Sequence, residues 1–155
     1  MKDILKIVVL LVVMGVFGSC LKKDLPETTN SSSNDITGFI YIHKYIDTTI
    51  NNAGTANVDT QIVVKTQQLN TSISISNDTV YVTPSIPSGF PSSQLSNVTL
   101  TNIWGVAYIP DGAIITPVDG APELGVPGDF SSPASYVVTA ANGNEKEWVI
   151  YTYPL

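Results

Sequence analysis

The clearest structural signal in this chain is a β-hairpin near its C-terminus. Residues 135–141 and 147–153 each alternate between apolar and polar side chains, which is the period of a half-buried strand. Asn142-Gly143 lies between them and favours a two-residue hairpin turn, because both residue types tolerate a positive φ. The residues predicted to face the core together are Tyr136, Val138, Ala140, Trp148 and Ile150. A two-stranded hairpin cannot bury such a face alone, so the chain has to supply further strands.

Short strand-like segments recur from Ile36 onward. They are residues 36–43, 61–65, 69–76, 79–83, 97–109 and 113–116. The most regular is 69–76, whose alternation predicts a half-buried strand with its core-facing side formed by Leu69, Thr71, Ile73 and Ile75. Stretches 84–93 and 117–133 are rich in proline and glycine and predict loops, with one helical turn at 92–95. About seven short antiparallel strands with turns between them predict an all-β sandwich.

The sequence begins with the composition of an export signal. Two lysines come first, residues 7–17 are a continuous apolar run, and Gly18-Ser19 precede Cys20, the only cysteine. The run is shorter than the roughly 20 apolar residues that cross a bilayer comfortably. Its end resembles a bacterial lipobox, so we expect cleavage after Ser19 and lipidation of Cys20. An ordinary buried thiol, or one half of an intermolecular disulfide, is the alternative for this cysteine.

These features divide the chain into three parts. Residues 1–19 are the predicted signal peptide, and residues 36–155 are the predicted β-sandwich domain. Between them, residues 20–35 are polar and include Pro26, which predicts a flexible tether behind the lipidated cysteine. The expected location is the outer membrane, at the cell surface or on the periplasmic face, with the membrane as a partner through the N-terminal lipid.

The charge of the chain argues against two classes of partner. The chain contains thirteen acidic residues, seven lysines and no arginine, and its formal net charge is −6. Nucleic-acid binding depends on cationic side chains that neutralise phosphates, so we expect no nucleic-acid partner. Electrostatic docking to anionic lipid is disfavoured for the same reason.

Residues suited to catalysis are scarce. His43 is the only histidine and lies in a strand-like segment, so a zinc site or a Ser-His-Asp triad is not expected. No phosphate-binding glycine motif occurs, and we expect no cofactor and no metal. Four acidic residues lie along the loop-rich stretch after 110: Asp111, Asp119, Glu123 and Asp129. Turn chemistry explains Asp111 and Asp119, which precede glycine, while calcium coordination by these loop oxygens stays open.

Aromatic side chains offer the most plausible ligand contacts. An exposed aromatic ring stacks on a sugar because its face is apolar while its edge and any hydroxyl can accept or donate hydrogen bonds. Phe90 lies in a proline-rich loop, Trp104 precedes Gly105, and Tyr153 alternates away from Trp148. These three residues are the candidate ligand contacts, and core packing is the alternative for each of them.

A family resemblance is carried by residues 112–150. Its residues are Gly112-Ala113, Pro117, Leu124 to Pro133, Tyr136 to Ala140, Asn142-Gly143 and Glu147 to Ile150. This pattern resembles immunoglobulin-like or cadherin-like β-sandwich domains of unknown function in surface lipoproteins of Bacteroidota. The resemblance implies an immunoglobulin-like fold and a cell-envelope setting. It brings no catalytic residue, because the matching glycines and prolines shape turns and the matching aromatic residues fill a core.

The sequence therefore predicts a membrane-anchored, non-catalytic lipoprotein that binds a glycan or envelope protein, or that supports a larger envelope complex. Two alternatives from other classes stay open. A small hydrolase would use loop carboxylates such as Asp119 and Asp129. A structural or adhesive subunit would assemble through the edges of its strands.

Overall fold

The computed structural model describes residues 31–51, 54–56 and 59–155. The predicted signal peptide and Cys20 lie outside these residues. Nine strands occur in the described part of the chain: β1 (Gly38–Asn51), β2 (Asp59–Gln68), β3 (Asn70–Ser76), β4 (Thr79–Ser85), β5 (Ile103–Tyr108), β6 (Ile114–Val118), β7 (Pro127–Gly128), β8 (Ala134–Thr139) and β9 (Glu145–Thr152). Short 3₁₀ turns occupy Ser92–Asn97 and Leu100–Asn102. None of the helices in this part has the length and apolar character needed to cross a membrane.

The strands form two sheets that enclose one core, so the predicted all-β sandwich is confirmed. The four-stranded sheet has the order β2-β1-β5-β7, and the five-stranded sheet has the order β3-β4-β9-β8-β6. Neighbouring strands are antiparallel, as predicted, except for β4 and β9, which run parallel. This parallel pair brings the middle of the chain beside its last strand.

Aromatic side chains from both sheets fill the core. Phe39 and Tyr41 of β1 contact Phe130 edge to face, with ring centroids 6.0 and 5.3 Å apart. The predicted core residues of the last hairpin are all buried: Tyr136, Val138, Ala140, Trp148 and Ile150. The Tyr136 hydroxyl donates a 2.7 Å hydrogen bond to the carbonyl oxygen of Pro122. Burial raises the pKa of Tyr136, so this hydroxyl keeps its proton at every ordinary pH.

The hairpin of β8 and β9 has a different turn from the predicted one. Gly143 has a positive φ of 88°, but Asn142 does not. The amide of Gly143 donates to the carbonyl of Ala140, and the side chain of Asn142 accepts a bond from the amide of Asn144. The loop is therefore longer than two residues and needs only one residue with positive φ. Two consecutive residues with positive φ occur instead at Asn77-Asp78, between β3 and β4.

The strand predicted at residues 69–76 is present as β3, but the prediction that one side of it is buried is wrong. Leu69 is buried, but Ile73 is 36% exposed and Ile75 is 44% exposed. These isoleucines share the inward side with Val80 and Val82 of β4, which are buried. β3 is the edge of its sheet, and the opposite sheet does not cover the inward side of that edge. The alternation correctly predicts which side of β3 faces inward. It does not indicate whether the opposite sheet extends over that side.

The last residues of the predicted tether contact the domain. The Trp148 indole nitrogen donates a 2.9 Å hydrogen bond to the carbonyl of Asn34, and the amide of Asn142 donates to the carbonyl of Ser31. The Lys146 ammonium lies 3.0 Å from a carboxylate oxygen of Asp35 and 2.8 Å from one of Asp78. These contacts raise the pKa of Lys146. Residues 31–35 therefore lie along the last hairpin before the chain enters β1.

Candidate functional site

Three tyrosines form a cluster on the outer face of the five-stranded sheet. Tyr151 and Tyr153 of the C-terminal segment have ring centroids 5.2 Å apart in an edge-to-face contact. Tyr81 of β4 lies 5.8 Å from Tyr151 and 6.5 Å from Tyr153. Tyr151 is 39% exposed and Tyr153 is 43% exposed, while Tyr81 is half-buried. We call Tyr81, Tyr151 and Tyr153 the tyrosine platform.

Strand pairing positions this platform. In the parallel pair of β4 and β9, Tyr81 stands opposite Tyr151. The amide of Tyr153 then donates a 2.8 Å hydrogen bond to the carbonyl of Val82, which continues the alignment past the end of β9. Alternation sends Val80, Val82 and Ile150 into the core, so the intervening tyrosines point outward. Strands β4 and β9 carry two of the rings, and Tyr153 follows directly after β9.

Hydroxyl side chains border the platform on one side. Ser74 of β3 stands opposite Tyr81, and Ser72 stands opposite Thr83 of β4. Together with Ile73, Tyr81 and Tyr153, these residues line a shallow depression of about 240 Å³. Apolar ring faces beside hydroxyl groups that donate and accept hydrogen bonds suit a sugar, whose own surface combines C–H faces with hydroxyls.

The structure separates the three candidate ligand contacts predicted from the sequence. Tyr153 belongs to the tyrosine platform. Phe90 is 7% exposed and lies in the core, with its ring 5.8 Å from that of His43. Trp104 is half-buried on the outer face of the other sheet, and the Lys44 ammonium lies 3.1 Å from its ring centroid. No two of them share a surface. Within the described part of the chain, Tyr153 is the one of the three whose ring contacts exposed aromatic side chains.

Sequence reasoning missed Tyr81 as a member of the site. Tyr151 and Tyr153 are two residues apart, so alternation alone places them on one face. Tyr81 lies far earlier in the chain and joins them through the parallel pairing of β4 with β9, which no local pattern encodes. The available signal was the alternation in β4, which puts Tyr81 on the side opposite Val80 and Val82.

Two of the loop carboxylates line a second depression. Asp119 and Asp129 border a hollow of about 330 Å³ together with Pro122 and Ser135. Asp119 has a positive φ of 53° next to Gly120, so turn geometry accounts for its position. Asp129 accepts hydrogen bonds of 2.6 Å from the Ser131 hydroxyl and 2.9 Å from the Ser131 amide. These bonds hold the pKa of Asp129 below its usual value.

A metal site and a Ser-His-Asp triad each require a particular arrangement of side chains. In residues 31–51, 54–56 and 59–155, no three His, Cys, Asp or Glu side chains come together as metal ligands. His43 is 5% exposed, and neither ring nitrogen makes a hydrogen bond to a described residue. A catalytic histidine needs a nucleophile on one nitrogen and an orienting group on the other. Among the described residues, His43 has no nucleophile within hydrogen-bonding geometry; the Gln94 side chain lies nearby without a well-formed hydrogen bond, and the His43 ring stacks against Tyr45 with centroids 5.9 Å apart.

We expect His43 to make the stability of the domain depend on pH. Burial lowers the pKa of His43, and the nearby Gln94 side chain opposes this effect only in part. Below about pH 6.5, the ordinary pKa of histidine, the unfolded chain binds a proton that the folded chain resists. The free energy of unfolding should therefore fall as the pH drops from 7.5 to 5.5, and it should fall less in His43→Phe. Urea titrations at both pH values measure this, and an equal loss in the two proteins would contradict it.

Comparison with known proteins gives two similarities. A family model described as DUF5018-related matches residues 36–151. The crystal structure of a protein from Bacteroides fragilis, described as a candidate secreted protein, superposes with a TM-score of 0.65 at 24% sequence identity. The superposition covers 77% of this chain and 94% of that one. At this identity the likeness establishes a shared fold. A search of the curated proteins found no match.

Proposed function

The chain belongs to the DUF5018-related family, and we propose that it is a membrane-anchored, non-catalytic lipoprotein of the cell envelope that binds glycan. The observation that carries this proposal is the tyrosine platform. Three tyrosines on one sheet face, two of them substantially exposed, form an aromatic surface with a serine and threonine border. Clustered exposed aromatic rings mark a binding surface, because a ring buried on folding stabilises the fold, whereas an exposed one is available to a ligand.

The envelope setting is supported by the N-terminal sequence and by the structural relative. The sequence predicts export and lipidation at Cys20, with the domain held beyond a polar tether. The Bacteroides fragilis protein that shares the fold is itself described as a candidate secreted protein. An outer-membrane lipoprotein, at the cell surface or on the periplasmic face, is the location that fits both observations.

Anchoring through Cys20 is directly testable. We expect the native protein to take up a fatty-acid analogue during metabolic labelling and to fractionate with membranes, because acyl chains on Cys20 would partition into the bilayer. Cys20→Ala should lose the label and should not be processed at Ser19. Equal labelling of both proteins, or recovery of the native protein in the soluble fraction, would contradict the lipoprotein proposal.

The tyrosine platform predicts which substitutions weaken glycan binding. A glycan array screened with the purified protein identifies a binding glycan, and titration of that glycan gives a dissociation constant. Tyr151→Ala and Tyr153→Ala should each weaken binding about tenfold or more, equivalent to roughly 1.4 kcal/mol, because each removes a stacking face. Tyr108→Ala is the matched control, since Tyr108 is 52% exposed but lies on the other sheet.

Two outcomes would contradict the glycan proposal. One is an array with no bound glycan, and the other is a loss of affinity in Tyr108→Ala equal to that in the platform variants. Circular dichroism of each variant checks that the sheets remain folded. The outward position of Tyr151 and Tyr153 leaves the core unchanged, so a folding defect is not expected.

A hydrolase is the second candidate, because Asp119 and Asp129 line one depression. Glycosidases pair an ionised carboxylate with a carboxylic acid whose pKa is raised. The hydrogen bonds from Ser131 act on Asp129 in the opposite direction and keep it ionised. Glycan turnover that disappears in Asp129→Asn, while the protein stays folded, would favour this candidate over the non-catalytic one.

A further inference from the structure

The hairpin of β1 and β2 extends past the four-stranded sheet. β1 pairs with β5 only as far as Ile42, whereas its pairing with β2 continues to Asn51. We call residues 44–51 and 59–66 the β1–β2 arm. Large apolar side chains on one face of the arm are 60–76% exposed: Ile46, Ile50, Ile62 and Val64. Isolated exposed apolar residues are ordinary, but four on one face of a projecting hairpin mark an interaction surface.

The outer strand of the arm has an open edge. β2 is the terminal strand of its sheet, and among the described residues nothing pairs with its outer side. Edge strands of this length are usually protected by proline or by an unpaired lysine that blocks strand addition. β2 contains no proline, and its one lysine, Lys65, forms an ion pair with Asp47 of β1. The other charged residue of β2 is Asp59 at its first position, so the middle of the strand carries no unpaired charge.

The sequence of β2 is complementary to itself in an antiparallel alignment. When the two-fold axis is perpendicular to the sheet, the same face of both copies lies on the same side of the joined sheet. Residues of even number must then pair with residues of even number, because successive side chains alternate between the two faces. An axis through Val63 satisfies this condition. It sets Ile62 of one copy beside Val64 of the other on the apolar face. It also sets Thr60 beside Thr66, and Gln61 beside Lys65, with no pair of like charges.

Charge does not oppose a second copy at this place. The chain has a net charge of −6, so two copies repel each other over most of their surfaces. The arm is different, because Lys44 and Lys65 balance Asp47 and Asp59, and the sequence between its two strands contains no charged residue. The arm is therefore neutral and apolar on an acidic protein.

From these observations we propose that two copies of this chain form a dimer by antiparallel pairing of their β2 strands about Val63, which joins their four-stranded sheets into one. This pairing uses the same edge of both copies, so it closes as a dimer and leaves no β2 edge for a third copy. The dimer presents the two tyrosine platforms on one assembly and would strengthen binding to a repeating glycan through avidity.

Disulfide trapping tests the register. The full chain is purified from membranes in detergent as Val63→Cys and, for comparison, as Ser93→Cys at an exposed position in a 3₁₀ turn. Residues directly opposite in antiparallel strands have Cα atoms about 4.5–5.5 Å apart, within the span of a disulfide. Val63→Cys should form a disulfide-linked dimer under mild oxidation, and Ser93→Cys should stay monomeric. Equal cross-linking of the two variants would overturn the proposal.

Sedimentation velocity tests the interface without cross-linking. The wild-type chain in detergent should sediment as a dimer, and the double variant Ile62→Lys/Val64→Lys should sediment as a monomer, because like charges would then face each other across the axis. Ile73→Lys/Ile75→Lys is the matched control, since these isoleucines occupy the edge strand β3 of the other sheet. That variant should remain dimeric. A monomeric wild-type chain, or a dimer lost only in the β3 variant, would overturn the proposal. Neither measurement involves a glycan, so its result is independent of the proposed binding function.

Discussion

Trp148→Ala should lower the free energy of unfolding by about 3–5 kcal/mol, which is the range for truncation of a buried aromatic side chain. Trp148 is 3% exposed and stands opposite Tyr136 in the pair of β8 and β9. Its indole nitrogen also donates a 2.9 Å hydrogen bond to the carbonyl of Asn34. The truncation removes this bond, which holds residues 31–35 against the hairpin. Urea denaturation followed by circular dichroism measures the loss.

The second tryptophan supplies the matched control for this experiment. Trp104 is half-buried on an outer sheet face, so Trp104→Ala removes the same atoms from a much less enclosed position. Its effect on the free energy of unfolding should be clearly smaller. Trp148→Phe keeps a ring in the core while removing the bond to Asn34 and part of the indole volume, so its effect should lie between those of the wild type and Trp148→Ala. An unchanged unfolding midpoint in Trp148→Ala would mean that this side chain does not belong to the core.

The last hairpin could be predicted because independent signals agree there. Alternation, a turn-forming pair and large apolar side chains at matching positions all favour the same two strands, and the side chains predicted to be buried are buried. The turn conformation itself was missed. Asn-Gly tolerates two residues with positive φ but does not require them, and here only Gly143 adopts one.

The edges of the sheets could not be predicted from the same signals. β3 alternates as regularly as any strand, yet Ile73 and Ile75 remain exposed, because the opposite sheet does not extend over this edge and no local pattern indicates how far it extends. The extension of β1 to Asn51 was missed for a related reason. Residues 45–51 mix apolar and polar side chains, and their strand conformation depends on pairing with β2 rather than on burial.

The candidate site was predictable only in part. Tyr153 was identified because it alternates away from Trp148, and the structure gives it aromatic neighbours on an exposed face. The sequence indicates Phe90 and Trp104 through neighbouring glycine and proline, which do not distinguish a core position from a surface one. The buried position of Phe90 against His43 arises from tertiary packing of the 84–93 loop onto β1. Long-range pairing therefore decides both which aromatic residues are exposed and which of them meet.

Gly105→Ala should lower the free energy of unfolding by about 1–3 kcal/mol, the usual cost of overpacking a core. Gly105 lies at an inward position of β5, where a Cβ atom would stand 2.6 Å from Cζ of Phe130 and 2.9 Å from Cζ of Phe39. Both rings are 1% exposed and contact Tyr41 edge to face, so neither can move without displacing a third ring. The urea midpoint of Gly105→Ala, compared with that of the wild type, measures the effect.

Two further variants decide whether ring contact causes that loss. Gly89→Ala adds the same methyl group where no atom lies within 4 Å of the new Cβ, and it should leave the midpoint nearly unchanged. Gly105→Ala/Phe130→Leu replaces the nearest ring by a shorter side chain, so the two substitutions should cost less together than the sum of their separate effects. A clash between the added methyl group and the Phe130 ring would be relieved in the double variant. If the losses in unfolding free energy of the two single variants were instead strictly additive, the loss in Gly105→Ala would come from the backbone of β5. A clash is the outcome that the 2.6 Å approach predicts, because the edge-to-face arrangement of the three rings leaves no space for an extra carbon beside β5.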